Sequence, residues 1–547
     1  MTINNYSTIY AFGDSLSDAG DVYLLTSSPL ASPLGLSPEP VSPPYYQETY
    51  GTVKADIFSN GPNWVQNLST DLGFGVLAPG TVGGTVSQLT TIAIAGLEAQ
   101  GYPPATATLV ATAAIDSLAK QQGVSGPNGY LTLASGATGG TDFAIGGAVT
   151  GVTNENSSFA VPLTDLSAQL TNFKNAVPTP AANALSTVWI GSNDILDLLE
   201  DPNFGTYFPN GTTLGTVGST KAGIDMQQSV ANEIGFIGSL VADGVTNLLV
   251  LDVPDLSQVP AITKGYPSET GAALVLSEYY NQLLNTDLGT VTGAKITIEN
   301  TFSLIDNAIA NPGSYGLKNV TDSVYTGSLT NFTPSDLVSS DPTVQNTYLF
   351  FDKQHPTETG QTAVANQALA DLTCFVTGTR IATARGAVAV EALRAGDMIV
   401  LADGGTLPVR WVGRRQLACA SHPDPHSVWP VRIAAGAFGA AGPAHDLYLS
   451  PDHAVFIDGA LIPAKHLVDG DAVARVACDT VTYWHVELPR HAVLLAEGLA
   501  CESFLDTRQR RGDYVTRVWE AEGCAELVVT GPRLAAARAR LSGARAA

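Results

Sequence analysis

The first 373 residues of this chain contain one histidine, His355, in the run FFDKQHPTETG, with Asp352 three positions before it. An imidazole with a carboxylate that close can be held in one tautomer and used as a general base. Such a base needs a nucleophile to deprotonate. Ser15 is the candidate, in IYAFGDSLSDAG, where a short apolar strand runs into Gly-Asp-Ser. Alone, those three letters read as a turn. Serine acyl transfer also needs donors for a developing oxyanion. Two stretches could supply them, DFAIGGAVTG at 142–151 and WIGSNDIL at 189–196. In an α/β fold Ser15, Gly147 and Asn193 would follow successive strands, at the carboxyl edge where such sites form.

A second kind of chemistry is spelled after residue 373. Cys374 opens CFVTGTRIATARGAVAVEAL, and a cysteine can attack its own preceding carbonyl. That N–S acyl shift would turn the Thr373–Cys374 peptide bond into a thioester. It is uphill unless a strained amide and a nearby histidine assist. LSPDHAVFIDG at 449–459 offers His453, and VTYWHVELPRHAVLLAEG at 481–498 offers His491.

Composition separates the two regions. Residues 1–373 hold 8 Lys, no Arg and 32 carboxylates, a net of −24, whereas residues 374–547 hold 1 Lys, 17 Arg and 18 carboxylates, a net of 0. All five cysteines and seven of the eight histidines lie in the second region, so a domain boundary falls at Cys374. The acidic first piece has no basic patch, which argues against nucleic acid or an anionic membrane as partner. No apolar run of about 18 residues predicts a membrane span. The N-terminal MTINNYSTIYAFGDS lacks the charged and apolar regions of a secretory signal.

Positioning these residues requires regular elements. After the first strand, residues 27–47 are Pro/Ser-rich and read as a loop or insertion; 75–140 read as a second insertion, a candidate lid with helical pattern near 105–122. From 160 onward, helical and strand patterns alternate: LTDLSAQLTNFKNAV, STVWIG, DMQQSVANEIGFIGSLVADG, TNLLVLDVP, GAALVLSEYYNQLLNTDLG, KITIEN and TGQTAVANQALADL. That alternation predicts a parallel sheet covered on both faces. Beyond 374, short strands separated by Gly/Asp turns predict an all-β domain, closed by a basic helical or frayed tail.

GDSLSD, FAIGGA, GSND and DKQHP, in that order, resemble the four blocks of SGNH hydrolases, the GDSL esterase/lipase family; FSNGPNWV at 58–65 is similar to a segment many members carry. The resemblance implies a flavodoxin-like three-layer α/β fold and an ester or lipid-like small-molecule substrate, without metal or cofactor. It implies Ser15 as nucleophile and, through its N–H, as one oxyanion donor. A second donor is Gly147 or its neighbour Gly146, and the third is the Asn193 amide. His355 is the base and Asp352 its orienting acid. Asp142 stands where the second block usually has Asn, which is a departure from the pattern.

From 374 the chain resembles the Hint domain of inteins and Hedgehog proteins, in C-F-x-x-G-T-x-I, S-x-x-H and a late block. That implies Cys374 as nucleophile, His453 with Ser450 polarising the scissile amide, and His491 as a helper. Where an intein ends in His-Asn, this chain reads Glu502-Ser503 and continues, so asparagine cyclisation is unavailable and cleavage rather than splicing is expected. The other cysteines are expected in the core, since they form no zinc pattern. The division expected is 1–373 hydrolase, 374–505 Hint and 506–547 extension, with oligomeric state unspecified. Export by a signal-independent route is the expected localisation, with a cytoplasmic location as the alternative. A non-catalytic binding protein, or an inert Hint module, is the rival reading.

Overall fold

The run IYAFG is buried at every position, as a strand covered on both faces must be. In the computed structural model it is β1 (Ile9–Gly13), the edge of a parallel sheet with β2 (Leu185–Trp189), β3 (Asn247–Leu251) and β4 (Lys295–Glu299) in that order. The structure describes residues 6–28, 37–72, 74–99, 101–151, 164–181, 183–370, 375–417, 419, 429–451, 453–503, 525–528 and 531–543. They fall into two units, one of Tyr6–Ser69 and Val76–Gln367, the other chiefly Ala368–Ala547.

On the outer side of β1, Ala11 N–H donates to Thr141 O at 3.1 Å, and Phe143 and Ile145 N–H donate to Ala11 and Gly13 O at 2.8 and 3.1 Å. Residues 141–145 therefore run along β1 as a rudimentary fifth strand. This completes the parallel α/β arrangement expected from the sequence, and three loops now leave neighbouring carboxyl ends. β1 leads to Ser15, 141–145 to Gly147 and β2 to Asn193. Helices Leu166–Ala176, Lys221–Ala242 and Thr270–Leu288 fall where the alternating pattern put them. The first two are capped by Asp165 and Thr220 side chains that accept from Ala168 and Gly223 N–H. Phe12 holds the core together, stacked on Phe143 at 5.6 Å and edge-on to Phe173 and Phe236 at 5.2 Å each.

The insertions are more ordered than composition suggested. Within the stretch read as a loop, Tyr46–Tyr50 begins a hairpin with Val53–Ile57. The second insertion holds the expected helix, Pro104–Gln121, packed on another, Val86–Ala99. That second helix is apolar on most sides, which blurs its period; Leu89, Ile92, Ala93 and Leu97 face the insertion's core.

Among the described residues, the second unit is antiparallel and all-β, in a six-stranded and a nine-stranded sheet. Phe375–Val376 lies between Leu447–Leu449 and Val481–Glu487. Residues beyond 505 join this unit: Glu526–Leu527 pairs with Ala460–Leu461, and Leu534, Ala537 and Leu541 of a helix at Gly531–Gly543 enter its core. Cys419 and Cys501 are buried and Cys478 is half-buried, with the Cys419 and Cys478 sulfurs 3.6 Å apart. Cys374 and Cys524 lie outside the described residues. Among the described residues no helix is long and apolar enough to cross a membrane.

Several buried carboxylates of this acidic domain have no lysine partner among the described residues. Burial pushes Asp14 and Asp252 up to about 7, Asp18 and Asp194 to about 6 and Glu233 to about 8. Because these folded-state values exceed the unfolded ones, the native state binds more protons. Their favourable contribution is complete below the ordinary carboxylate range and is lost as pH rises through 6–8. Hydrogen exchange of peptides covering β1–β3, corrected for intrinsic rates, is expected to show protection about tenfold or more lower at pH 8.5 than at pH 5.5. Equal protection would contradict this.

Candidate active sites

Gly13 ends β1 at φ +143°, and a Cβ there would meet Trp189 O at 2.1 Å, so only glycine lets the chain turn so close to β2. Buried Gln169 brackets this glycine. Its Oε1 accepts from Gly13 N–H at 2.9 Å, and its Nε2 donates to Gly13 O at 2.7 Å and Thr164 O at 2.9 Å. Two residues on, half-buried Ser15 places Oγ 2.7 Å from His355 Nε2. His355 Nδ1 lies 2.8 Å from Asp352 Oδ2, and the buried Asp352 Oδ1 accepts from the N–H groups of Gln354 and His355 at 2.8 Å each. Burial opposes the charge on Asp352. The facing imidazole and the hydrogen bonds from His355, Tyr45 and Gln354 outweigh it and hold the carboxyl below its ordinary range. The three residues read from sequence are thus one connected chain, able to move a proton from the serine hydroxyl to a carboxylate-held imidazole.

The donors are sorted by what already occupies them. Gly146 N–H donates to Asp18 Oδ2 at 2.6 Å. The main-chain N–H groups of Ser15 and Gly147 have no acceptor among the described residues, and Gly147 takes φ +75°. Of the two adjacent glycines, Gly147 therefore has the N–H to offer an oxyanion. Asn193 sits in the first turn of helix Ser192–Glu200 and gives one amide hydrogen to Ala148 O at 2.9 Å, leaving a second. Its neighbour Asp194 accepts from Thr150 Oγ1 at 2.6 Å and Ser229 Oγ at 2.8 Å, tying the Gly147 loop to a helix behind it.

Two buried aspartates cross-strap the loops. Asp18, on the Ser15 loop, accepts from Gly20, Asp21 and Val22 N–H on its own segment and from Gly146 N–H on the other. Asp142, on the Gly147 loop, accepts from Ala19 N–H on the Ser15 loop and from Ala144 N–H on its own. With Asp21 these two form the described carboxylate group close enough to hold a cation, their oxygens within 4.8 Å of one another. The oxygens of Asp18 and Asp142 are already spent on N–H donors. Burial and the neighbouring carboxylates push Asp21 and Asp142 well above the ordinary range, so a proton held between them relieves the charge. Sequence reading missed Gln169 and this double strap. Gln169 carried a signal, as a polar residue in step with Leu166, Leu170 and Phe173 on the buried helix face.

In the second unit, His453 is buried, its ring 4.3 Å from that of Phe375, the residue after Cys374. Burial, and secondarily His491, outweigh the attraction of Glu502 and depress its pKa to about 4, so this imidazole is neutral at pH 7. Glu502 sits between the two histidines, accepting from Ala454 N–H at 2.6 Å and placing Oε2 3.5 Å from His491 Nε2. Ser450 closes the turn before it, its carbonyl accepting from His453 N–H at 3.2 Å. Cys374 lies outside the described residues.

The first unit is an α/β domain with the serine–histidine–aspartate arrangement used for acyl transfer. The chain belongs to the GDSL-like lipase/acylhydrolase family, whose model matches residues 9–368, and it carries a Hint domain, matched over 373–508. An acetylesterase of Thermothelomyces thermophilus is 27% identical over 191 residues, 33% of this chain and 57% of that protein. The match thus spans little more than half of that relative. The MchDnaB-1 intein is 14% identical, covering 24% of this chain and 98% of its own at a TM-score of 0.18. A bacterial intein-like domain from Clostridium thermocellum is 18% identical, covering 23% and 96%, also at 0.18.

The Asp18→Asn exchange keeps the side-chain size but puts an N–H₂ where one carboxylate oxygen took main-chain donors. It is expected to slow reaction of Ser15 with a fluorophosphonate by about tenfold or more. Wild-type labelling rates would contradict a role for the strap.

Proposed function

We propose that residues 1–373 form a serine ester hydrolase, freed from the rest of the chain by cleavage at Thr373–Cys374. The observation that carries the hydrolase reading is the Ser15–His355–Asp352 chain, with contacts of 2.7 and 2.8 Å. Ser15 Oγ attacks the ester carbonyl carbon as its proton passes to His355 Nε2. Negative charge on the carbonyl oxygen is met by the N–H groups of Ser15 and Gly147 and by the Asn193 amide. His355 returns the proton to the departing alkoxide, leaving an acyl-Ser15 ester. Water then repeats the sequence and releases the acid. The relative named an acetylesterase makes a short acyl group the first substrate to try.

In the Hint domain, Cys374 Sγ attacks the Thr373 carbonyl carbon and the amide nitrogen leaves with a proton, giving a thioester. His453 and Ser450 polarise that amide, and His491 assists on the C-terminal side. Water or an external thiol then opens the thioester, because Glu502–Ser503 offers no asparagine to cyclise. A freed, acidic first piece without cysteine suits an oxidising exterior, which supports export as its destination.

Two measurements test this. Ser15→Ala is expected to abolish fluorophosphonate labelling and hydrolysis of p-nitrophenyl acetate; equal labelling would remove the catalytic assignment. Intact mass of the purified chain, with and without added thiol, is expected to show a fragment ending at Thr373 that Cys374→Ala lacks. A chain that stays full length under both conditions would sink the autoprocessing reading.

A further inference from the structure

Asp352 Oδ2 receives two hydrogen bonds, one from His355 Nδ1 and one from a residue that no sequence block supplies. Tyr45 OH donates to that same oxygen at 2.7 Å. Tyr45 is 2% exposed and enters from the Pro/Ser-rich insertion, one residue before its hairpin. Its ring is held in an aromatic box, with Phe351 at 5.2 Å, Tyr325 at 5.8 Å and Phe58 at 6.4 Å. Phe58 in turn lies 4.9 Å from the His355 ring, so one box packs both the tyrosine and the imidazole.

We propose that Tyr45 is a positioning residue of the hydrolase, a fourth member of the Ser15–His355–Asp352 chain that acts through the aspartate. The proposal rests on the hydrolase reading above. Burial, and then the charge on Asp352, push the Tyr45 hydroxyl well above its ordinary range, so it stays a donor throughout the working pH. A donor on Oδ2 has two effects. It fixes the carboxylate plane that orients the imidazole, and it draws off charge that would otherwise hold an imidazolium more tightly. The other titratable groups facing this pair are Asp14 on the nucleophile loop, which burial pushes up to about 7, and Tyr325, which burial raises. Neither donates to Asp352; Lys353, beside it in the chain, is exposed.

Tyr45→Phe removes the hydroxyl and leaves the box filled. In the full chain, the rate of fluorophosphonate labelling and kcat/KM for p-nitrophenyl acetate are expected to fall about three- to tenfold on the alkaline plateau. The acid limb of both profiles should move to higher pH by about half a unit, because the bare carboxylate holds the imidazolium more firmly. In an Asp352→Asn background the same exchange should add nothing, since Tyr45 acts through that carboxylate. A Tyr45→Phe profile superimposable on wild type, at unchanged Tm, overturns the proposal and leaves Tyr45 as packing. A loss equal in both backgrounds overturns it as well. Failure of the hydrolase reading is seen separately: wild type and Ser15→Ala would then label alike, or neither would label.

Discussion

A carboxylate buried away from any lysine or arginine is kept charged by a facing imidazole and by hydrogen bonds, and the Ser15–His355–Asp352 site depends on one such group. Asp352 lies at the foot of the proton path. It is served by two main-chain N–H groups, an imidazole and a phenol, and no lysine or arginine is paired with it among the described residues. The facing imidazole, together with these hydrogen bonds, holds it below the ordinary carboxylate range, while Asp14, Asp18, Asp194 and Glu233, equally buried, are pushed up. Two carboxyls near one histidine, Asp352 and Asp14, are thereby shifted in opposite directions by environment, Asp352 down and Asp14 up to about 7.

The same shortage of cations explains how the loops are held. In a chain richer in basic residues, the Ser15 and Gly147 loops could have been joined by ion pairs. Here aspartates accept main-chain N–H groups across the gap, Asp18 in one direction and Asp142 in the other. Such bonds are directional, and Gly146 N–H can serve Asp18 or an oxyanion but not both. The strap therefore does more than stiffen the loops. With Gly146 engaged, Gly147 is the one of the two whose N–H has no acceptor among the described residues.

The Hint domain follows the opposite electrostatic logic. His453 is buried beside the Phe375 ring and, with its pKa depressed to about 4, is neutral at pH 7. Its nearest acid, Glu502, is bound to the Ala454 N–H and approaches His491 instead. Glu502 stands in the stretch that in an intein carries the terminal asparagine, so the chain's departure from inteins is also visible as a different charge in the domain interior.

Much of this was legible from residue types in order. One histidine in 373 residues left no other imidazole base for the first domain, and the abrupt arrival of arginine and cysteine marked the boundary. The alternation of apolar strands with amphipathic helices announced a parallel sheet, because period and burial follow from local chain geometry. Asp142 was visible as a departure but not as a strap, since its partner Ala19 lies 123 residues away. The choice between Gly146 and Gly147 was open in sequence because both are glycine; only the fold shows which N–H is already taken. Tyr45 carried no signal, since it lies in a proline-rich stretch 307 residues from the aspartate it serves. The sequence by itself determined which groups could react and in which domain each works. Only the tertiary structure decided which donors remain unoccupied and which carboxylates remain charged, because both depend on burial and on hydrogen bonds between segments far apart in the chain.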